Sequence, residues 1–395
     1  MMKKTVVASA LFTLFATGAV SADEETQALR KIITEQQETL KALEKRLDET
    51  EMRIEATASY IESAPSASAS SVTSIGGYGE LHYNNIDNKK GSDKKEIDFH
   101  RFVLFFGHEF TNKLRFFSEV EIEHSIAGEG QKGEIELEQA FIEYDYSEQI
   151  TTKAGVFLLP VGIINETHEP PAFYGVERNP VEKNIIPATW WEAGAAITFT
   201  PVGGLSFDGA LTSGLSTPTT GENAYLIRSG RQKASKANAN DLAFTGRVKY
   251  TAIPGLELAA SIQYQQDLTQ GTVGVDTADA TLLTAHAVYS VNDFGMRALY
   301  ATWDINGADA KLMGRDEQTG WYLEPSYQVS EKLGAFARYA EYDNNAGIKS
   351  DSKEKLTTLG INYYLHPNVV LKADIENYSG YSDKSGFNLG VGYQF

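Results

Sequence analysis

The architecture predicted by this sequence is all-β: a 16-stranded antiparallel β-barrel crossing a membrane, preceded by a short α-helical coiled coil. Three observations predict it. Apolar and polar residues alternate with a period of two from about Ser74 to the terminal Phe395, as they do in a strand with lipid on one face and water on the other. Short turns alternate with mostly longer polar loops. The chain also opens with a secretion signal, which sends it out of the cytoplasm.

The signal occupies residues 1–22. Lys3 and Lys4 form a positive start, Thr5 to Ala16 an apolar stretch, and Ala19-Val20-Ser21-Ala22 the small residues a signal peptidase requires. The apolar stretch is too short for a spanning helix, which needs about 20 apolar residues. Mean hydropathy is mildly negative at −0.30, but a barrel averages its two faces, so this value does not separate it from a soluble protein. The chain has no cysteine, which suits passage through an oxidising periplasm and excludes disulfides, covalent haem and thiolate metal sites. A net charge of −18, deepened by two when the signal lysines leave, argues against a nucleic-acid partner.

Residues 23–62 read as a periplasmic coiled coil. Ile33, Leu40, Leu47, Ile54 and Ile61 recur every seventh residue, with Leu29, Gln36, Leu43, Thr50 and Thr57 between them. This 3-4 spacing among Glu, Lys and Arg is a self-association seam, and the polar seam residues bear on register and strand number. Residues 63–74, rich in Ser and Ala, have no periodicity and read as a flexible linker. The barrel is expected over 75–395.

Its strands follow one pattern. Phe387, Leu389, Val391, Tyr393 and Phe395 alternate with Asn388, Gly390, Gly392 and Gln394. Leu256, Leu258, Ala260, Ile262 and Tyr264 alternate with Glu257, Ser261, Gln263 and Gln265. Each such run approaches the roughly 9–11 residues of a tilted spanning strand. The terminal Phe395 resembles the aromatic signal by which outer-membrane barrels are recognised for insertion. Seven short turns, near Asn112, Glu148, Gly203, Pro254, Asn292, Glu331 and Pro367, alternate with eight loops and give 16 strands, the even number expected of a single-chain barrel. The facing of Gly334–Asp343 is ambiguous from its pattern. A barrel of 16 strands leaves room for an aqueous channel.

The third loop, about Pro160 to Thr189, holds five of the eleven prolines, together with Phe173, Tyr174, Ile185 and Ile186. Proline stiffens a loop, and its apolar atoms need a surface to pack on. The inner barrel wall is nearest, so the loop is expected to fold inward and narrow the channel.

A 16-stranded barrel with a periplasmic coiled coil and a proline-rich third loop resembles the phosphate-selective porin O/P family. The residues that carry the likeness are Phe157-Leu-Leu-Pro-Val-Gly162, Thr167-His-Glu-Pro-Pro-Ala-Phe-Tyr-Gly-Val-Glu-Arg178 and Ile185-Ile-Pro-Ala-Thr-Trp-Trp-Glu192. The resemblance implies an outer-membrane homotrimer in contact with lipid and lipopolysaccharide. Each protomer would carry its own pore for passive diffusion of small hydrophilic solutes.

The charges depart from the arginine ladder and lysine cluster of the phosphate-selective members. The constriction loop carries Glu166, His168, Glu169, Glu177, Arg178, Glu182 and Lys183. The expected pore lining is Arg101, Arg115, Glu119, Glu121, Glu123, Glu143, Asp145, Asp208, Arg247, Lys249, Glu257, Lys372, Asp374 and Glu376. Carboxylates predominate, which favours cations. Arg228, Arg231, Lys233 and Lys236 in the fourth loop, with the lysines of the first, are expected at the mouth, where they would attract anions. An anion- or phosphate-selective channel therefore stays open as an alternative.

No catalytic constellation is present among the seven scattered histidines, so an enzyme is not expected, nor is a cofactor or metal. His168 beside Glu166 and Glu169 is read as a hydrogen-bonded structural residue of the folded loop rather than a metal ligand. A third possibility is a barrel scaffold, or an envelope tether, for a periplasmic or electron-transfer partner.

Overall fold

The computed structural model describes residues 72–348 and 351–395. The expected signal, the coiled coil and most of the linker lie outside them. The chain forms β1 (Val72–Asn88), β2 (Lys94–Thr111), β3 (Leu114–Glu123), β4 (Ile135–Asp145), β5 (Ile150–Leu158) and β6 (Trp191–Phe199). It continues through β7 (Leu205–Thr212), β8 (Ala243–Tyr250), β9 (Leu256–Gln265), β10 (Asp279–Val291) and β11 (Phe294–Asn306). The last five strands are β12 (Glu317–Ser330), β13 (Leu333–Asp343), β14 (Glu354–His366), β15 (Val369–Gly380) and β16 (Lys384–Gln394).

Every strand pairs antiparallel with its sequence neighbours, and β1 pairs with β16 to close the ring. Closure leaves no strand edge with unpaired backbone groups, the condition for sheet to cross a bilayer. The seam ends in two reciprocal bonds: Gly77 N–H donates to Phe395 O at 3.0 Å, and Phe395 N–H to Gly77 O at 2.9 Å.

The count of 16 strands holds, and all seven short turns fall where the turn residues predict. One boundary moves. Val72, Thr73 and Ser74, read as linker, belong to β1, because β2 extends far enough to pair them with Glu109, His108 and Gly107. The turn before β9 depends on a glycine. Gly255 has φ of +77°, and a Cβ there would lie 2.1 Å from Ser290 O, a left-handed conformation that favours glycine.

The outer surface is apolar. Leu258, Ile262 and Tyr264 on β9, Leu359 and Ile361 on β14, and Leu371 and Ile375 on β15 are all exposed. An apolar band of this extent is anomalous facing water and ordinary facing lipid.

The inner surface is not uniformly polar. On β11 the buried residues are Leu299, Ala301, Trp303 and Ile305, whereas Tyr300 points outward. These chains meet protein rather than water. The β5–β6 connection (159–190) and the β7–β8 connection (213–242) place Leu159, Val161, Val181, Ile185, Ile186, Leu215, Tyr225 and Ile227 against them in one buried cluster. The same cluster contains Ala340 of β13, so loop packing accounts for the ambiguous pattern of that strand.

Candidate functional site: a charged passage inside the barrel

The β5–β6 connection is fixed on strands well away from its own around the ring. Trp303 Nε1 on β11 donates to Ile185 O at 2.9 Å, and Arg297 Nη2 to Ala172 O at 2.8 Å. Arg338 Nη2 on β13 donates to Tyr174 O at 2.6 Å, and Lys372 Nζ on β15 to Phe173 O at 3.0 Å. The amide of Val176 donates to Asp374 Oδ2 at 2.7 Å. In a ring of 16 antiparallel neighbours, these bonds can form only if the segment crosses the interior. Such contacts also answer the polar backbone of a segment removed from bulk water.

These anchors relocate three expected site residues. Glu182 is fully buried, and its Oε2 accepts from the amides of Ile163 at 2.7 Å and Ile164 at 2.8 Å, while Oε1 accepts from Tyr322 Oη at 2.6 Å. It is a structural acceptor, not a free charge in the passage. Lys372 and Asp374 face inward as expected but lie beneath the loop they hold, Lys372 with Nζ 3.6 Å from the Phe173 ring centroid.

Beside the loop remains a water-accessible cavity of about 720 Å³. Its wall includes Glu80, His82 and Asn84 of β1, Asp98, His100 and Arg101 of β2, Glu121 and Glu123 of β3, and Glu136 and Glu138 of β4. Facing them are Glu177, Arg178 and Lys183 of the third connection, Arg228, Arg231 and Lys233 of the fourth, and Glu376 of β15. The wall thus has an acidic side on β1–β4 and a basic cluster on the loops.

Two β-bulges build the acidic side. Glu80 pairs with Arg101 but Leu81 with Phe99, which leaves His100 as an extra residue. Glu119 pairs with Gln139 but Val120 with Leu137, which leaves Glu138 extra. A bulge shifts the alternation by one and re-aims side chains, so Glu136 and Glu138 join the inner face although Glu143 and Asp145 have the opposite parity. Strict alternation therefore misses them. Glu80, His82 and Asn84 were legible in principle, since they alternate with Gly79, Leu81 and Tyr83.

The side chains are tied in networks. Arg101 Nε lies 2.7 Å from Glu80 Oε1, and His82 Nδ1 lies 3.3 Å from Glu177 Oε1. Asn84 Nδ2 donates to the same Glu177 oxygen at 2.9 Å. Burial alone would raise the Glu177 carboxyl, but the His82 hydrogen bond and the charges of His82, His100 and Lys94 hold it well below the usual carboxylate range. Burial, and then the Arg231 and Arg178 charges, push the Arg228 guanidinium down to about 9; it remains cationic at neutral pH. Arg228 Nη1 donates to Ala188 O at 2.9 Å and Arg231 Nη1 to Thr189 O at 2.5 Å. Arg228 and Arg231 therefore stand beside the third connection inside the barrel, not at the mouth where the sequence suggested them, and Lys233 lines the same cavity, whereas Lys236 is exposed and does not.

The other expected residues lie outside this cavity wall. Arg115 of β3 clamps Glu143 at 2.7 Å and Asp145 at 2.5 Å near a short turn. Arg247 of β8 binds Asp208 at 2.8 Å and also pairs with Glu166; Glu257 meets His286 at 3.1 Å. Lys249 sits half-buried opposite Ala259. Glu169 precedes the 3₁₀ turn Pro170–Ala172. Glu119 and His168 are buried together, His168 Nε2 being 3.3 Å from Glu119 Oε1. Burial alone would lower the His168 imidazole, but Glu119 and Glu138 raise it to about 9.

Known proteins share the barrel fold. A protein of Aquifex aeolicus (strain VF5), described only as uncharacterized, is 32% identical over 353 residues, covering 82% of this chain and 80% of that one. The anion-selective porin of Comamonas acidovorans superposes with a TM-score of 0.60 at 14% identity, covering 82% of this chain and all of that chain. A trimer form of the Vibrio cholerae outer membrane protein OmpT superposes with a TM-score of 0.55 at 12% identity, again over 82% of this chain and all of that one. At such identities the two structures speak for the fold. A family model described as Gram-negative porin matches residues 56–384, and with most of the chain matched the protein belongs to the Gram-negative porin family.

Proposed function

We propose that this outer-membrane porin is a passive diffusion channel for small hydrophilic solutes and ions, narrowed by its third loop and only weakly selective for charge. The observation that carries the reading is the crossing of the interior by residues 159–190, held by Trp303, Arg338, Lys372 and Asp374 on the far wall. A segment so fixed reduces the aqueous cross-section to the cavity left beside it. Charges at such a narrowing act within about 8 Å at physiological salt, whereas charges in a wide lumen are screened.

The sequence alone favours cations. With Arg178, Lys183, Arg228, Arg231 and Lys233 beside the same passage as Glu121, Glu123, Glu136 and Glu138, the two signs nearly offset. The protein assembles as a homotrimer in this reading, in line with the trimer form of its structural neighbour and the seam in residues 23–62. The test is swelling of proteoliposomes in solutes of graded size: small sugars and amino acids enter at rates that fall steeply with size. Uptake that ignores solute size would remove the narrowing.

A second reading is an anion or phosphate-type channel, the narrower kinship suggested by the third-loop motifs. Arg178 favours it: Nη1 donates to Thr189 Oγ1 at 2.6 Å, while its buried Nε and Nη2 have no protein partner. Guanidinium donors without a protein partner, on a residue that lines the cavity, suit an oxyanion. A reversal potential of strong anion sign across a salt gradient would favour it over weak selectivity.

A further inference from the structure

The Glu119–Glu138–His168 group lies where the third connection meets β3 and β4, and of its members only Glu138 lines the passage. All three residues are buried, at 1%, 2% and 3% exposure. One oxygen of each carboxylate and Nε2 of the imidazole lie within 4.8 Å of one another. His168 Nε2 is 3.3 Å from Glu119 Oε1 and 3.6 Å from Glu138 Oε2, yet none of these three atoms has a hydrogen-bond partner. Buried polar atoms without partners are rare and costly, and here three of them converge.

We propose that Glu119, Glu138 and His168 bind one divalent transition cation of the Zn²⁺ type, which ties the third connection to β3 and β4. Separation supports a shared ion. Ligands about 2.0–2.1 Å from a tetrahedral Zn²⁺ stand roughly 3.3–3.4 Å apart, close to the distances observed. Charge-assisted hydrogen bonds are shorter, about 2.7–2.9 Å. A mixed imidazole and carboxylate set also suits such an ion.

The surroundings orient the ligands. His168 Nδ1 lies 3.1 Å from Asn165 O, and a proton on Nδ1 donated to that carbonyl leaves the Nε2 lone pair facing the carboxylates. Gln139 Nε2 donates to Glu119 Oε2 at 2.7 Å and so turns Oε1 toward the imidazole. Such second partners are typical of metal ligands. An ion also offsets two carboxylates placed together away from water. Glu138 lines the aqueous cavity, which supplies the entry path. The other occupant to consider is a proton on Nε2, which would leave the site without metal.

The experiment uses the full chain, purified in detergent, stripped with EDTA and titrated with Zn²⁺. One equivalent per protomer is expected. Glu138→Gln and His168→Gln should each weaken uptake at least tenfold, and Gln139→Ala about tenfold through the lost orientation of Glu119. Asp98→Asn should leave uptake unchanged; it tests the half-buried Asp98–His100–His124 group, the other cluster of metal-ligand type among the described residues. Should a variant fail to fold, X-ray absorption at the zinc edge of the unmodified protein reads the site directly, with one imidazole among oxygen ligands. No stoichiometric uptake, uptake abolished by Asp98→Asn but kept in His168→Gln, or a spectrum with two imidazoles would overturn the proposal.

Discussion

The amide of Val176 donates a 2.7 Å hydrogen bond to the carboxylate of Asp374, a residue 198 positions later in the chain. Asp374 also accepts from Asn388 Nδ2 at 2.8 Å, so β15 and β16 jointly hold the inward-folded segment. A hydrogen bond to a charged group contributes about 1.5–3 kcal/mol, and removing its acceptor leaves a buried donor unanswered. Asp374→Ala should therefore loosen the segment by that amount without opening the barrel. Single-channel records should show more open-state noise and a larger mean conductance, with Asp374→Asn intermediate.

Glu182 offers a sharper test of the same architecture. It alone answers the amides of Ile163 and Ile164 and the hydroxyl of Tyr322. Glu182→Ala strands three donors at about 1–3 kcal/mol each. The barrel should still run faster unboiled than boiled on a denaturing gel, since its closed sheet is untouched. Limited proteolysis should cut the variant within residues 159–190 at protease levels that leave the parent intact.

Much of this was legible in the sequence where each face of a strand meets one solvent. On β9, Leu258, Ile262 and Tyr264 are exposed while Ser261, Gln263 and Gln265 are buried, as simple alternation requires. On β11 the inner face meets the loops, so Leu299, Trp303 and Ile305 stand where a polar lumen was expected. The site was less legible. Bulges at His100 and Glu138 break the parity that assigns facing, and the paths of the third and fourth connections decide which charges reach water. Glu182 and Arg228 show the two consequences: one expected pore charge is withdrawn into a hydrogen-bond network, and one expected mouth charge enters the barrel.

The two-sided charge distribution predicts opposite responses to mutation. Replacing Arg228, Arg231 and Lys233 by Gln should turn a weakly selective channel toward cations. Replacing Glu121, Glu123 and Glu136 by Gln should turn it toward anions. Both shifts should shrink in 1 M salt, where the Debye length falls to about 3 Å. Reversal potentials across a salt gradient measure them, and equal responses to the two triple variants would contradict the assignment.

The seam in residues 23–62 predicts assembly independent of the barrel. A peptide of that span should be helical and sediment as a trimer. Monomer at high concentration would remove it as an assembly element; a dimer would contradict the stoichiometry.

The narrowing of the pore by the third loop is tested by single-channel conductance in a planar bilayer, recorded for the parent and for a chain lacking residues 166–183. Discrete ionic steps are expected for the parent, and larger steps with admission of larger solutes for the deletion, while gel mobility continues to report a closed barrel. A folded parent barrel that passes no current, or a deletion that leaves conductance unchanged, would contradict this reading.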